Sequence, residues 1–145
     1  MIKIICLGKL KESYLIDLIN DYQKRISRFH KIKVMELKDE DNLLKEENQI
    51  LKYIEEKDFV ITLEIEGKSI TSEEFASFIE NTFITNSTVT FVIGSSLGLS
   101  PNIKNRSNYA LSFSKMTYPH GLFRGILLEQ IYRAFKINNH ESYHK

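Results

Sequence analysis

Apolar and polar positions along the chain keep two alternating rhythms. The apolar β-formers of Ile2–Leu7 predict a first strand, ended at Gly8. Over residues 12–29 the rhythm changes, and Leu15, Leu18, Ile19, Tyr22, Ile26 and Phe29 recur at helical spacing. Ile32–Leu37 predicts a second strand. A helix from about Asp41 to Glu56 then carries Leu43, Leu44, Ile50, Leu51 and Ile54. Phe59–Ile65 predicts a third strand, closed by a turn at Gly67-Lys68. Thr71 followed by Glu74 fits a capping box that opens a helix with Phe75, Phe78 and Ile79 on one side. Val89–Ile93 predicts a fourth strand before a Gly/Ser-rich loop, and Tyr109–Phe113 a short fifth. A long final helix runs from Pro119 to about Ile137, with proline at its first turn, and a polar tail ends Tyr143-His144-Lys145.

Strands alternating with helices predict an α/β fold, a mostly parallel sheet flanked by helices on both faces. Ligands of such sheets bind beyond the carboxyl ends of the strands, which selects the loops after Ile65, Ile93 and Phe113. The 145 residues hold no internal repeat or linker and predict one domain over residues 1–145. The first apolar stretch is too short for a signal segment, and no run reaches the roughly 18 apolar residues of a membrane span, so a cytoplasmic protein is expected, with no membrane partner. The single cysteine, Cys6, excludes an internal disulfide and, inside an apolar run, predicts a buried thiol. No His/Cys/Asp/Glu cluster has metal spacing, so no metal is expected.

Net charge is only +1 but unevenly spread: residues 1–35 sum to +5, residues 36–80 to −9 and residues 81–145 to +5. An acidic middle between basic ends predicts a polarised surface, able to offer phosphates a basic face if the ends meet.

Three segments carry candidate chemistry. The loop Gly94-Ser95-Ser96-Leu97-Gly98-Leu99-Ser100-Pro101 follows a strand, where glycines let backbone approach a ligand closely. It fits neither the dinucleotide fingerprint nor a Walker loop, and Pro101 is expected to interrupt the helix that such motifs need. It does match G-x-S-x-G with Ser96 as nucleophile, but no aspartate follows Asp58, and only Glu129 lies between Ser96 and the last two histidines. The stretch from Leu111 to His120 alternates hydroxyls with apolar groups, suited to holding an adenine and a ribose, or else serves as a plain strand-to-helix connection. In the last helix Leu122, Ile126, Glu129 and Arg133 share a face, where Glu129 and Arg133 suit an i, i+4 pair. Gly121 and Gly125 would admit a close helix, either a second copy or a neighbour in the same chain. Tyr143, His144 and Lys145 combine stacking, proton handling and phosphate contact, in a position that otherwise reads as a frayed end.

Taken together, Leu-Ser-Phe-Ser-Lys-Met-Thr-Tyr-Pro-His at 111–120, Leu-Leu-Glu-Gln-Ile-Tyr-Arg-Ala at 127–134 and the terminal Tyr-His-Lys closely resemble the RlmH family of SPOUT methyltransferases. Upstream agreement includes Gly8-Lys9-Leu10-Lys11, Tyr22-Gln23-Lys24-Arg25, Leu63 before Gly67-Lys68, and Ile93-Gly94. The resemblance implies an α/β sheet with a C-terminal trefoil knot whose loops hold S-adenosylmethionine. Cofactor contacts carry over to Leu63, Gly94, Phe113, Ser114, Lys115, Met116, Thr117 and Tyr118. It implies a homodimer, each site completed by the partner chain, that methylates N3 of a pseudouridine in large-subunit ribosomal RNA on the assembled ribosome. One departure stands out: Ser95 and Leu97 replace a second glycine and an acidic residue usual in the loop.

The sulfonium methyl is already electrophilic, so such an enzyme chiefly aligns the groups and manages the proton of the base nitrogen. His144 is the candidate for proton handling, Arg133 for favouring the anionic base and Tyr143 for stacking on it. Two other readings remain at this point: a non-catalytic ribosome-binding module that keeps the knot, and a serine hydrolase acting through Ser96.

Overall fold

The first strand is buried along its whole length because it sits between two others. In the computed structural model, which describes residues 1–145, β1 (Ile2–Leu7) pairs in parallel with β2 (Ile32–Leu37) on one side and with β4 (Val89–Ile93) on the other. β4 pairs in turn with β3 (Phe59–Ser69), and β3 with β5 (Tyr109–Ser112), again in parallel. The order is β2-β1-β4-β3-β5. Strands buried on both faces need mostly apolar residues, the reason β1 and β4 are apolar apart from Lys3 and Thr90.

Side chains of a strand alternate between faces, and the sheet carries one core on each. Ile2, Ile4, Cys6, Phe91 and Ile93 point into the larger core, covered by α1 (Ser13–Ser27), α3 (Ser72–Thr85) and α5 (His120–Asn138). Ile5, Leu7, Val60 and Val92 point into the smaller one, with Ile50 of α2 (Leu43–Leu51) and Ile103 of α4 (Pro101–Arg106). Burial pushes the Cys6 thiol up to about 11, so it stays protonated and inert at neutral pH. No helix is long and apolar enough to cross a membrane.

The predicted elements recur with three instructive differences. Pro101 does not interrupt a helix but begins one. It occupies the first turn of α4 behind Ser100, whose hydroxyl caps the amide of Ile103, and proline is favoured there because its missing N–H is not needed. Gly67 and Lys68 form no closing turn: β3 continues to Ser69 past a bulge, with Leu63 and Lys68 both opposite Leu111. A Cβ on Gly67 would lie 2.8 Å from the Ala110 carbonyl, so glycine is what allows β5 to come this close. The acidic helix spans only Leu43–Leu51, capped by the Asn42 side chain on the amide of Lys45.

Gly121 and Gly125 serve the close helix from within the chain. A Cβ on Gly121 would meet Leu10 and Leu15, and one on Gly125 would meet Leu18 at 2.6 Å, so α1 rests directly on the backbone of α5. Arg124, between them and 3% exposed, donates to the carbonyls of Leu7 and Gly8 at 2.8 and 2.7 Å and to Glu36 at 2.8 Å.

At the amino-terminal ends of the three interior strands Lys3 pairs with Asp58 at 2.6 Å, both side chains nearly sealed from solvent, and Asp58 also accepts from Thr90. Removing one member of a buried pair strands the other charge. Lys3→Met is therefore expected to lower unfolding stability by about 3–5 kcal/mol in urea denaturation, and adding Asp58→Asn to recover much of it. Equal losses for the single and double variants would rule out charge pairing as the cause.

Candidate active site

Three parallel strands end side by side, and the segments that leave them enclose a cleft of about 560 Å³. Leu63 and the bulged Glu64-Ile65-Glu66 come from β3, Ile93 to Gly98 from β4, and Phe113 to Tyr118 follow β5. The N-terminal end of α5 closes it with His120 and Phe123.

The β4 wall is a tight turn. Gly98, at φ +79°, donates to the carbonyl of Ser95, and the two residues form an isolated antiparallel bridge. Gly94 lies against this turn so closely that a Cβ would sit 2.7 Å from the Gly98 carbonyl oxygen. The Ser95 hydroxyl donates to buried Glu46 of α2 at 2.6 Å and accepts from the Leu97 amide, while Ser100 donates to Glu47. The β5 wall is stiffened by Ser112, which donates to the Ile65 carbonyl at 2.9 Å and so ties the segment to the bulge of β3. Its rings interlock: Phe113 meets Phe123 edge-on at 5.3 Å and Tyr118 stacks on Phe123 at 5.7 Å.

Seven of the eight residues assigned to the cofactor, Leu63, Gly94, Phe113, Ser114, Met116, Thr117 and Tyr118, line this cleft. Lys115 is exposed and outside the lining. Glu64, inside the expected third strand, Glu66, just past its end, and Phe123 of α5 also line the cleft and were not foreseen, while His120 closes the stretch expected to hold adenine and ribose. The only signal for the first three was position, at the carboxyl end of β3 and beside the β5 loop. Ser96 is exposed and makes no hydrogen bond to a histidine; its neighbours Ser95 and Ser100 bond directly to carboxylates. The arrangement lacks the serine–histidine pair a hydrolase needs.

Arg133, Tyr143 and His144 assemble elsewhere. They line no part of the cleft, and Arg133 lies ten residues beyond Phe123, about 15 Å along the helix. The tail is docked rather than frayed. Arg133 pairs with Glu129 as the spacing predicts, bonds Nδ1 of His144 at 2.9 Å and lies over the Tyr143 ring, 4.9 Å from its centre. His144 bonds Glu73 of α3 through Nε2. The Tyr143 hydroxyl donates to Glu129 at 3.1 Å, and its ring stands edge-on to Tyr132 at 4.9 Å. The Glu129 contact holds the Arg133 guanidinium firmly charged. Burial first, then the Tyr22 hydroxyl and the Glu129 charge, raises the Tyr143 phenol well above its ordinary range. Tyr143 is thus held as a neutral hydroxyl that donates to Glu129.

A family described as predicted SPOUT methyltransferases matches residues 1–144. A Clostridium botulinum (strain Hall) protein named ribosomal RNA large subunit methyltransferase H is 52% identical, over 99% of both chains. Among solved structures, a probable methylase family protein from Haemophilus influenzae superposes with a TM-score of 0.56 at 13% identity, over 99% of this chain and 70% of the other. A TrmH/SpoU tRNA modifying enzyme from A. aeolicus gives 0.50 at 16% identity, over 95% and 77%. These structures share the fold.

A raised phenol pKa predicts that Tyr143 stays un-ionised where ordinary tyrosines titrate. Alkaline difference spectra of the native protein and Tyr143→Phe are expected to coincide through that range. An early phenolate signal lost in the variant would refute the neutral-donor role.

Proposed function

Because the chain belongs to the SPOUT methyltransferase family, we propose that it transfers a methyl group from S-adenosylmethionine to N3 of a pseudouridine in large-subunit ribosomal RNA, on assembled cytoplasmic ribosomes. The observation that carries the proposal is the cleft itself, where residues far apart in sequence but assigned to one ligand converge at the ends of β3, β4 and β5. The knotted C-terminal threading implied by the family fold belongs to the same reading.

The residues present fit the cofactor. The volume suits a nucleoside-sized ligand, and Leu63, Ile93, Leu99 and Leu111 give apolar contact for an adenine. Backbone at Gly94 and Gly98 can approach closely, and Glu64 and Glu66 supply negative charge beside a cationic ligand. When bound, S-adenosylmethionine supplies an electrophilic methyl group. The chain's own contribution is to orient the acceptor and handle its proton. Arg133 favours the anionic base, Tyr143 offers a ring to stack on, and His144 takes the proton. Because this cluster stands far along α5 from the cleft, the reading requires a homodimer in which the tail of one chain completes the cleft of the other. Modest net charge accords with a target recognised by the shape of the ribosome rather than by affinity for bare RNA.

Calorimetric titration with S-adenosylhomocysteine tests the cleft: saturable binding is expected, lost in Gly94→Trp. Deleting residues 143–145 is expected to spare that binding and abolish methylation of ribosomes. Mixing the two inactive variants should restore about a quarter of the wild-type rate, since half the dimers assort as mixed and each holds one intact site. Full activity in the truncation would remove the tail from the mechanism; no recovery on mixing would place tail and cleft in the same chain.

A further inference from the structure

We propose that Glu46 and Glu47, which do not themselves line the cleft, are positioning residues for the cofactor: from α2 they hold the loop from Gly94 to Pro101 in its binding shape. The inference rests on the cofactor reading of the cleft given above.

Both carboxylates are buried, Glu46 1% and Glu47 6% exposed, although they belong to the most acidic stretch of the chain. Neither enters an ion pair; the acidic partners among the ion pairs nearest the site are Glu64 and Glu36. A buried carboxylate is tolerable only where hydrogen-bond donors surround it. Here two of the four donors come from one loop and a third from the helix that follows it. Ser95, at its start, gives its hydroxyl to Glu46 Oε1 at 2.6 Å. Ser100, near its end, gives its hydroxyl to Glu47 Oε1, and the Asn102 amide reaches Oε2 at 3.3 Å. The second oxygen of Glu46 takes the Glu40 amide at 3.2 Å, which ties the anchor to the segment after β2.

Consecutive residues of one helix therefore grip both ends of the loop, and the carboxylates stay buried only while the loop keeps its place. The same two serines set its internal shape. Ser95 Oγ accepts from the Leu97 amide, making the turn against which Gly94 packs, and Ser100 Oγ caps α4. Ser95 is also where the chain departs from the glycine usual in the resembling family, so the hydroxyl anchor is a local property of this loop.

The test is a double-mutant cycle on Ser95 and Glu46. Ser95→Ala and Glu46→Gln are each expected to raise the Kd for S-adenosylhomocysteine, and the KM for S-adenosylmethionine, about tenfold, the range of one hydrogen bond to a charged group. The kcat at saturating cofactor should stay within about twofold, because the interaction is spent on binding. The double variant should be no worse than the poorer single, since both act through one contact. Unchanged Kd with a lowered Tm would reduce the carboxylate to a fold-stabilising group, and fully additive losses would deny the pairing. Either result overturns the proposal. If Glu46→Gln fails to fold, Ser95→Gly supplies the same KM-against-kcat comparison. A wild-type chain that does not bind overturns the cofactor reading as well; a wild type that binds beside variants that bind equally overturns the positioning role alone.

Discussion

Arg124 is the contact on which the arrangement of the chain turns. Its guanidinium is buried, yet it finds the carbonyls of Leu7 and Gly8, where β1 stops, and the carboxylate of Glu36 on β2. A buried cation is costly unless so supplied with acceptors, and here the acceptors are mostly backbone atoms that have run out of strand partners. Satisfying both needs at once fixes α5 across the end of the sheet. Glycines on either side of Arg124 let α1 lie against the same helix. The N-terminal end of α5 then closes the cleft with His120 and Phe123, while two to three turns later Glu129 and Arg133 organise the tail. One helix orientation serves both groups of functional residues.

Much of this was legible in the chain because strands and helices write different periods. Val89–Ile93 and Ile2–Leu7 are bounded as the apolar runs imply, and Thr71 and Glu74 cap α3 reciprocally as their spacing implies. The loops that form the cleft were legible from the carboxyl ends of the strands, but the individual cofactor residues only through resemblance, since nothing in Phe113-Ser114-Lys115-Met116-Thr117-Tyr118 by itself says which side chains turn inward. Lys115 turned out to face solvent.

What was not legible depended on tertiary context. Glu46 and Glu47 look like any solvated acidic pair on a helix, and only the fold brings Ser95 and Ser100 over them. Pro101 reads as a breaker until a serine hydroxyl in front of it is seen to cap the next turn. The β3 bulge is invisible to alternation, because a strand that leaves and rejoins its partner keeps its composition while losing its register. Tyr143 and His144 sit where chain ends usually fray, and their docking depends on Glu73, Glu129 and Tyr132, none of which is adjacent in sequence.

The strand order has a consequence for how the molecule comes into being. β4 lies between β1 and β3, so the first six-residue strand waits for a neighbour that is synthesised more than eighty residues later, and the Met1 amino group closes on the carbonyl of Ser87 only then. Nearly every pairing in the sheet joins distant parts of the chain, which makes folding slow relative to a helical protein of equal length. During translation β1 and β3 emerge with unpaired apolar edges and stay exposed until Val89–Ile93 slots between them. The centre of the sheet is thus completed late, and a chain stalled before residue 93 holds two sticky strands with nothing to join them.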